Sequence, residues 1–427
     1  MKRLLITCVM RPLSRQAGYV LIILLAICLC VWSADGKIKK TGELSVSFEE
    51  RLMVKIPFQL CADTIIFSPD GMQIAYRAEQ DGKCFVVAGD KKGEEFDDVN
   101  YMKFSPDGTQ VAYGAKKNGK WLVVAGDKKG EAFDMVSFIV FSPDSKHIAY
   151  VARKGNKEFA VVDDTKEEVF DEVHCIIFSP YNNRITYVAR EGNKWFAVIE
   201  GKKGEAFDMV SFIVFSCYGR QAAYRAKRNG KWFVVTGGKK GEEFDDVDCI
   251  IFSPDDHQVA YWARKDSKEF IVVGGKKGEE FDEVSSIVFS HNGEHIAYAA
   301  RNGDKEFVVD GDKKGEAFDE VSCLVSSHNG RQIAYRAEKN GKCFVVVGDK
   351  KGEWFDDVDC IIFSPDGKQV AYRARKDSKE FIVAGNKKGE AFDKVYFPIV
   401  FNDNGKKIAF GARKDPELWW KVWALEK

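Results

Sequence analysis

The sequence is dominated by a unit of 37 residues that recurs ten times. The unit is marked by a phenylalanine followed by Ser-Pro-Asp-Gly or a variant of it, and every step between marks is 37 residues except the last, which is 38. The marked positions are Phe67, Phe104, Phe141, Phe178, Phe215, Phe252, Phe289, Ser326, Phe363 and Phe401. Such a repeat indicates an array in which each unit buries its core against its neighbours.

Two further marks keep the same phase. An aromatic residue follows nine residues after the first mark, at Tyr76, Tyr113, Tyr150, Tyr187, Tyr224, Tyr261, Tyr298, Tyr335, Tyr372 and Phe410. A Phe-Asp pair begins at Phe96, Phe133, Phe170, Phe207, Phe244, Phe281, Phe318, Phe355 and Phe392. Three marks held in phase over this length are not a chance pattern.

Each period predicts four short strands. Residues 244–280 divide into the segments FDDV, CIIFS, QVAYWAR and EFIVVGG, separated by turns that contain Pro, Asp, Ser, Lys and Gly. The segments are rich in β-branched and aromatic residues. A blade counted from CIIFS would take the next FDDV-like segment as its fourth, outer strand. No segment after residue 40 has helical periodicity of useful length.

A four-stranded sheet of this size cannot bury both faces alone, but a ring of stacked copies can, and ring closure protects the terminal blades. We therefore predict an all-β fold, a β-propeller of four-stranded antiparallel blades with ten blades in one ring. Two five-bladed rings are the alternative. They would require a break near residue 240, where the 37-residue step continues unchanged.

The two ends of the array predict how the ring closes. The last unit has strands around Phe401, Phe410 and Trp419 and then stops, so it lacks a fourth strand. Residues 54–61, which read VKIPFQLC, resemble an isolated outer strand. We expect this N-terminal strand to complete the last blade. Phe58 in this strand lies nine residues before Phe67, whereas Phe96 lies eight residues before Phe104 in the repeat.

The turn motif resembles the WD-like repeats of TolB-type bacterial propellers. Phe67–Gly71 reads Phe-Ser-Pro-Asp-Gly and is followed by Ala75-Tyr76, and Phe363–Gly367 has the same reading with Ala371-Tyr372. The resemblance covers about residues 53–427. It implies a propeller fold, and it says less about function, because such propellers serve as periplasmic interaction modules, peptidase gating domains or, rarely, lyases.

The N-terminus differs from the repeats. Residues 19–32 read YVLIILLAICLCVW, and residues 17–34 form an uncharged stretch of 18 residues preceded by basic residues. Residues 1–36 are therefore predicted to be a helical signal peptide or a signal-anchor transmembrane helix, and both readings stay open. Residues 37–52 would form a linker and 53–427 the propeller. This predicts an extracytoplasmic propeller in the cell envelope, periplasmic or on the outer face, anchored or secreted through residues 17–34.

The cysteines follow the repeat. Cys175, Cys249, Cys323 and Cys360 share one position, while Cys84 and Cys343 share another. Recurring strand positions of this kind usually hold small buried hydrophobic residues. No CxxC pair is present, so a zinc site is not predicted.

The sequence contains no Gly-x-Ser-x-Gly, phosphate-loop or HExxH motif of the kinds that carry hydrolytic or phosphoryl-transfer chemistry. His291 and His328 hold the same turn position in neighbouring repeats, where solvated turn residues are favoured over a metal site. We therefore predict no catalytic residue, no cofactor and no metal ligand. The repeated aspartates are expected to cap their own turns; they are Asp97, Asp134, Asp171, Asp208, Asp245, Asp282, Asp319, Asp356 and Asp393.

Paired lysines form the candidate binding surface. They are placed in the turn between the third and fourth strands, where they would form a basic circle on the outer rim of one face. The alternative is that these lysines only protect the outer strand from pairing with other chains and aid solubility. The predicted rim residues are Lys91, Lys92, Lys128, Lys129, Lys202, Lys203, Lys239, Lys240, Lys276, Lys277, Lys313, Lys314, Lys350, Lys351, Lys387 and Lys388.

These observations favour a non-catalytic binding or scaffold module that uses repeated loops to bind a protein or an anionic glycan. Blocks such as GEAFDMVSFIVFS, at 130–142 and 204–216, recur unchanged and suit many equivalent contacts better than one active site. The alternatives are a lyase or hydrolase acting at the central channel and a structural spacer. Nucleic acid is not expected as a partner, because 65 basic residues are balanced by 65 acidic ones.

Overall fold

The computed structural model describes residues 50–55, 64–401 and 405–425. Over these residues the chain forms ten four-stranded antiparallel sheets and no α-helix. The prediction of an all-β propeller with four-stranded blades is therefore confirmed. The apolar N-terminal segment, with the helix predicted for it, lies outside the described residues.

The blades are numbered 1 to 10 from the strand that contains Phe67. The first strands are Ile66–Phe67, Asp98–Phe104, Met135–Phe141, Glu172–Phe178, Met209–Phe215, Asp246–Phe252, Glu283–Phe289, Glu320–Ser326, Asp357–Phe363 and Lys394–Phe401. The second strands are Ile74–Gln80, Val111–Lys117, Ile148–Lys154, Ile185–Glu191, Ala222–Arg228, Val259–Lys265, Ile296–Asn302, Ile333–Lys339, Val370–Lys376 and Lys407–Lys414.

The third and fourth strands complete each blade toward the outside. The third strands are Lys83–Ala88, Lys120–Ala125, Lys157–Val162, Lys194–Ile199, Lys231–Thr236, Lys268–Val273, Lys305–Asp310, Lys342–Val347, Lys379–Ala384 and Glu417–Ala424. The fourth strands are Lys91–Lys92, Lys128–Lys129, Thr165–Phe170, Lys202–Lys203, Lys239–Lys240, Lys276–Lys277, Lys313–Lys314, Lys350–Lys351, Lys387–Lys388 and, for blade 10, Arg51–Lys55.

The ten blades form one ring. First strands of neighbouring blades contact each other, which places them nearest the axis, and the first strand of blade 1 contacts that of blade 10 in the same way. Packing is also continuous at the blade 5 to blade 6 boundary near residue 240, where Trp232 and Val234 share one buried cluster with Phe244 and Tyr261. Because that boundary is packed like the others, two separate five-bladed rings do not form.

The ring closes by exchange of a strand between the termini. Arg51–Lys55 pairs antiparallel with the third strand of blade 10, so that Leu52 lies opposite Trp419. The expected closure is thus observed, but the strand begins earlier than the 54–61 inferred from spacing, and 56–63 lie outside the described residues. The strand ends where the lysine pair lies in the repeat, because Val54 and Lys55 precede Phe67 by the same 13 and 12 residues as Lys91 and Lys92 precede Phe104. The FDDV-like segment used for the prediction follows that position.

The fourth strand differs from the prediction. In most blades the lysine pair is itself the fourth strand, two residues long, and is not a turn. The FDDV-like segment is split instead. Phe96, for example, forms a single antiparallel bridge with Cys84, and the residues from Asp98 onward begin the first strand of blade 2. Blade 3 has Thr-Lys-Glu-Glu-Val-Phe here, and its fourth strand runs unbroken over Thr165–Phe170.

The repeat phenylalanines and tyrosines join neighbouring blades. Phe96, at the end of blade 1, packs edge-on against Tyr113 of blade 2 with ring centroids 6.3 Å apart, and Phe281 packs in the same way on Tyr298. Both members of these pairs are buried. Burial raises the pKa of the equivalent Tyr150 to about 12, so these phenols stay neutral. The sequence marks are therefore the contacts that hold one blade to the next.

Candidate functional site

Alternation of strand direction divides the loops between two faces. The turns that join first to second strands, and those that join third to fourth strands, lie on one face, called the upper face here. The turns between second and third strands lie on the lower face, together with the connections to the next blade. The predicted lysine rim belongs to the outer edge of the upper face.

In most blades the second lysine of the pair forms an ion pair within the protein. Lys240 of blade 5 lies 2.9 Å from the Glu205 carboxylate of blade 4, and Lys351 of blade 8 makes the equivalent 2.7 Å contact with Glu316 of blade 7. Lys166 keeps this role in blade 3, at 2.7 Å from Glu131, although its neighbour is a threonine. These three lysines act as ion-pair links between blades, whereas Lys92, Lys203 and Lys277 pair with glutamates of their own repeat unit.

The carboxylates of the rim are neutralised by the same contacts. Glu94 accepts hydrogen bonds from Lys117 and Lys129, and these bonds lower its pKa to about 2. Glu205 is likewise shared by Arg228 and Lys240, which lower its pKa. A glutamate held between two cations contributes little negative potential to the surface around it.

The first lysine of each pair behaves differently. Within the described residues, the first lysine has no hydrogen-bond or ion-pair partner in seven blades, and its side chain is exposed. In blade 9 Lys387 instead donates a 2.7 Å hydrogen bond to the backbone carbonyl of Leu425. The seven free residues, called the free lysines below, are Lys91, Lys128, Lys202, Lys239, Lys276, Lys313 and Lys350.

The repeated aspartates lie on the lower face and link blades. Asp97 accepts a hydrogen bond of 2.7 Å from Lys83 of blade 1 and one of 2.8 Å from the backbone N–H of Asn118 in blade 2. The other eight aspartates repeat this arrangement. Each lies between a lysine 14 residues before it and a turn N–H 21 or 22 residues after it.

This arrangement corrects one detail of the sequence prediction. The aspartates do bind backbone N–H groups, but those groups belong to the turn of the next blade rather than to their own turn. The hydrogen bond from Lys83, reinforced by that from Asn118, lowers the pKa of Asp97, and the equivalent contacts lower the pKa of the other eight aspartates. All nine carboxylates are thus committed to links between blades.

The two turn histidines are less exposed to solvent than the sequence predicted. His291 and His328 are half-buried in adjacent blades of the upper face, with ring centroids 5.4 Å apart. Burial lowers the pKa of both imidazoles, so they are neutral at pH 7. No group of three or more His, Cys, Asp or Glu side chains suited to holding a metal ion occurs in the described ranges.

The cysteines divide by position. Cys84 and Cys343 are buried as predicted, but the other shared position is less enclosed: Cys175 is exposed, and Cys249, Cys323 and Cys360 are half-buried. This second position is a bulge in the first strand with φ near +55°. The residues with this conformation are Tyr101, Phe138, Cys175, Phe212, Cys249, Ser286, Cys323 and Cys360.

The bulges give the inner wall an apolar character in some blades. Tyr101 is 55% exposed and Phe138 46% exposed, and both line an open cavity of about 460 Å³ formed by the first strands of blades 2 and 3. A bulky side chain at positive φ is uncommon, because the backbone crowds its Cβ. The surrounding ladder holds it there, with pairing resuming at Lys103 after a shift from Asn100.

One upper-face feature was missed from the sequence. In blades 4 and 5 the aspartate of the Ser-Pro-Asp-Gly turn is replaced by Tyr181 and Tyr218. Tyr181 is 80% exposed, and the Arg220 guanidinium lies 5.4 Å from the ring centroid of Tyr218. The two turns touch, since a Cβ built on Gly219 would lie 3.0 Å from that of Tyr181. Aligning the ten turns by position would have revealed both substitutions.

The described residues contain no helix long and apolar enough to cross a membrane. No family model matches the sequence, and no curated protein matches it either.

Several solved structures resemble this chain at low sequence identity. A crystal structure of a eukaryotic initiation factor has a TM-score of 0.45 and 11% identity, covering 83% of this chain and 93% of that one. The Dos1 propeller has a TM-score of 0.33 and 10% identity, covering 90% and 95%. TolB from Acinetobacter baumannii has a TM-score of 0.29 and 16% identity, covering 60% and 80%. At this level the likenesses carry no argument about function.

Proposed function

We propose that the protein is a non-catalytic binding or scaffold module that holds an acidic partner along its lysine rim. The observation that carries this proposal is the difference between the two lysines of a pair, of which the second usually forms an ion pair and the first does not. The second lysines and the rim glutamates largely neutralise each other, whereas the free lysines are exposed and unpartnered within the described part of the chain. The rim therefore offers positive charge at regular intervals.

Repetition is what makes such a surface effective. A single exposed ion pair contributes only about 0–1 kcal/mol, so one free lysine would bind little. Seven equivalent lysines on one rigid ring allow simultaneous contacts, and linked weak contacts raise the overall affinity. The repeated aspartates support a non-catalytic role, because each is already engaged by a lysine and a backbone N–H.

The sequence supports a proposal for location as well. The apolar stretch at 17–34, with basic residues before it, is typical of a segment that directs the following chain across a membrane. We propose an extracytoplasmic ring, anchored or secreted through that stretch, whose partner is an acidic component of the cell envelope.

The test uses the full chain, purified in a nonionic detergent, and fluorescein-labelled poly-glutamate as the probe. Fluorescence anisotropy should show binding that weakens steeply with added salt, whereas labelled poly-lysine should not bind. Replacing all seven free lysines by glutamine should abolish binding, and replacing them by arginine should preserve it. If the glutamine variant binds poly-glutamate as well as the parent, the rim is not the binding surface.

A further inference from the structure

We infer that the partner docks on one sector of the ring, the upper face of blades 4 and 5, and that it is an acidic segment of a protein. This inference rests on the proposed function and narrows it. The sector is defined by Tyr181, Tyr218, Arg220, Lys202 and Lys239, and is called the tyrosine sector below.

The inner turns of these two blades break the repeat in the same way. Elsewhere on the described upper face the third residue of the turn is a carboxylate or an asparagine that bonds to its own turn. Asp70, for example, accepts hydrogen bonds from Ser68 at 2.6 Å and from the backbone N–H of Met72 at 2.8 Å. A tyrosine cannot accept these bonds in the same geometry, so its substitution removes a negative charge and presents a ring to solvent.

The outer turns of the same blades are altered independently. The residue before the lysine pair is aspartate in blades 1, 2, 7 and 8, as in Asp90 and Asp127, and is Asn386 in blade 9, whose inner turn keeps an aspartate. Blade 3 has aspartate at the same position, before Thr165-Lys166. In blades 4 and 5 it is Gly201 and Gly238. Blade 6 also has glycine there but keeps acidic residues in its inner turn, so only blades 4 and 5 lose the aspartate from both turns.

The result is a patch of uncompensated positive charge. Lys202, Lys239 and Arg220 have no carboxylate partner within the described residues, and all three are exposed. Glu200, the nearest acid to Lys202 along the chain, is already engaged. It accepts a 2.6 Å hydrogen bond from Asn182 and lies 3.3 Å from the Arg184 guanidinium. The Asp256 carboxylate of blade 6 is also close, but it accepts a 3.2 Å hydrogen bond from the backbone N–H of Tyr218 and forms no ion pair with these cations. An acidic ligand would therefore meet cations that pair with no carboxylate of the described residues.

The residue types favour a protein as the partner. Tyrosine and arginine are enriched among the side chains that dominate protein–protein binding. Tyrosine buries a large area at low conformational-entropy cost. Tyr181, at 80% exposure, is the most exposed of the large hydrophobic side chains that the structure describes. A protein segment with carboxylates and apolar side chains would pair with the cations and cover the tyrosine rings together.

The repeat supplies a matched control for the test. Lys202→Glu with Lys239→Glu alters the tyrosine sector, and Lys91→Glu with Lys128→Glu makes the same charge change at the same repeat positions in blades 1 and 2. A third variant, Tyr181→Asp with Tyr218→Asp, restores the residue that most other turns carry, so the fold should tolerate it. The probe is a labelled glutamate–leucine copolymer peptide, with labelled heparin as a parallel anionic glycan, and thermal unfolding checks each variant.

We expect about tenfold weaker peptide binding, equivalent to ~1.4 kcal/mol, for both sector variants and less than about threefold weaker binding for the blade 1 and 2 control. Equal losses of affinity in the two lysine variants would overturn docking on the tyrosine sector but would still support binding by the lysine rim. No loss in either would overturn the proposed function as well. A sector effect on heparin without one on the peptide would overturn the assignment of a protein partner.

Discussion

Phe67 of blade 1 packs against Trp420 of blade 10 with ring centroids 5.8 Å apart, which joins the two ends of the repeat array. Trp420 is fully buried, and its ring also occupies the space beside Gly71, where a Cβ would lie 2.2 Å from its Cε2 atom. We predict that Trp420→Ala lowers the free energy of unfolding by about 3–5 kcal/mol, the usual cost of removing a large buried ring.

The control for this variant is Trp354→Ala, because Trp354 is 44% exposed and lies on the outside of blade 8. Urea denaturation followed by far-ultraviolet circular dichroism gives both free energies. Equal destabilisation by the two substitutions would contradict the importance of the blade 1 to blade 10 contact.

The N-terminal strand should matter in the same way. A chain that begins at residue 57 lacks Arg51–Lys55 and leaves the third strand of blade 10 unpaired, whereas a chain that begins at residue 50 keeps it. We expect the shorter chain to unfold at a lower temperature and to self-associate, because it exposes a strand edge and loses the packing of Met53. Calorimetry and light scattering would measure the two effects, and matching behaviour of the two chains would refute the role of this strand.

The lower-face aspartates predict how stability depends on pH. Their folded pKa values lie below the ordinary value of 3.8, because each carboxylate accepts hydrogen bonds from a lysine and a backbone N–H. The stabilisation is thus complete above the unfolded pKa and is lost as pH falls through the folded pKa. The pKa of Glu94 falls from its ordinary value of 4.5 to about 2, so the stabilisation by this carboxylate is lost over the pH range between those two values.

Unfolding temperatures should consequently stay level from pH 7 to about 5 and fall steadily below about 4. Asp134→Asn with Asp208→Asn should lower stability at pH 7 and reduce the drop on acidification, since two of the titrating groups are gone. An unchanged acid transition in this variant would show that other groups control it.

The cysteines should differ in how fast their thiols react with an alkylating reagent. Cys175 is exposed, while Cys84 and Cys343 are buried, and burial raises the pKa of Cys343 to about 11 and that of Cys249 to about 12. We predict that N-ethylmaleimide labels Cys175 first among the seven cysteines that the structure describes, as read by peptide mapping with mass spectrometry. Faster labelling of Cys343 than of Cys175 would contradict the burial described here.

Much of the architecture can be predicted from the sequence, because the same contacts between neighbouring blades recur in every repeat unit. The marks at Phe96 and Tyr113 identify the interface between blades, since both must be large and buried in every copy. The fourth strand was harder to predict. The lysine pair has the composition of a turn, yet in blade 1 it is held as a strand by pairing with Val87 and Ala88. Pairing to a neighbour decided the conformation, and composition alone does not report it.

The candidate site was only half predictable. The sequence identified the rim lysine pairs but not Lys166, which takes the place of a second lysine in blade 3. Both members of a pair also look alike in the chain. Only the fold shows that Lys240 reaches Glu205 in the preceding blade while Lys239 does not pair. The tyrosine sector required positions to be compared across blades. Tyr181 and Tyr218 stand out only when they are compared with the aspartates at the same position in other blades. The contact between their two turns is visible only in the structure.

The lower-face links also bear on how such a protein can change its size during evolution. Each link connects a lysine and an aspartate of one unit to the turn N–H of the next, so a duplicated unit carries both halves of the connection. Insertion of one more copy would leave no existing partner behind, and only the curvature of the ring and the Phe67–Trp420 contact would need to adjust. A gene of this kind can therefore gain or lose whole blades by recombination between its own repeats.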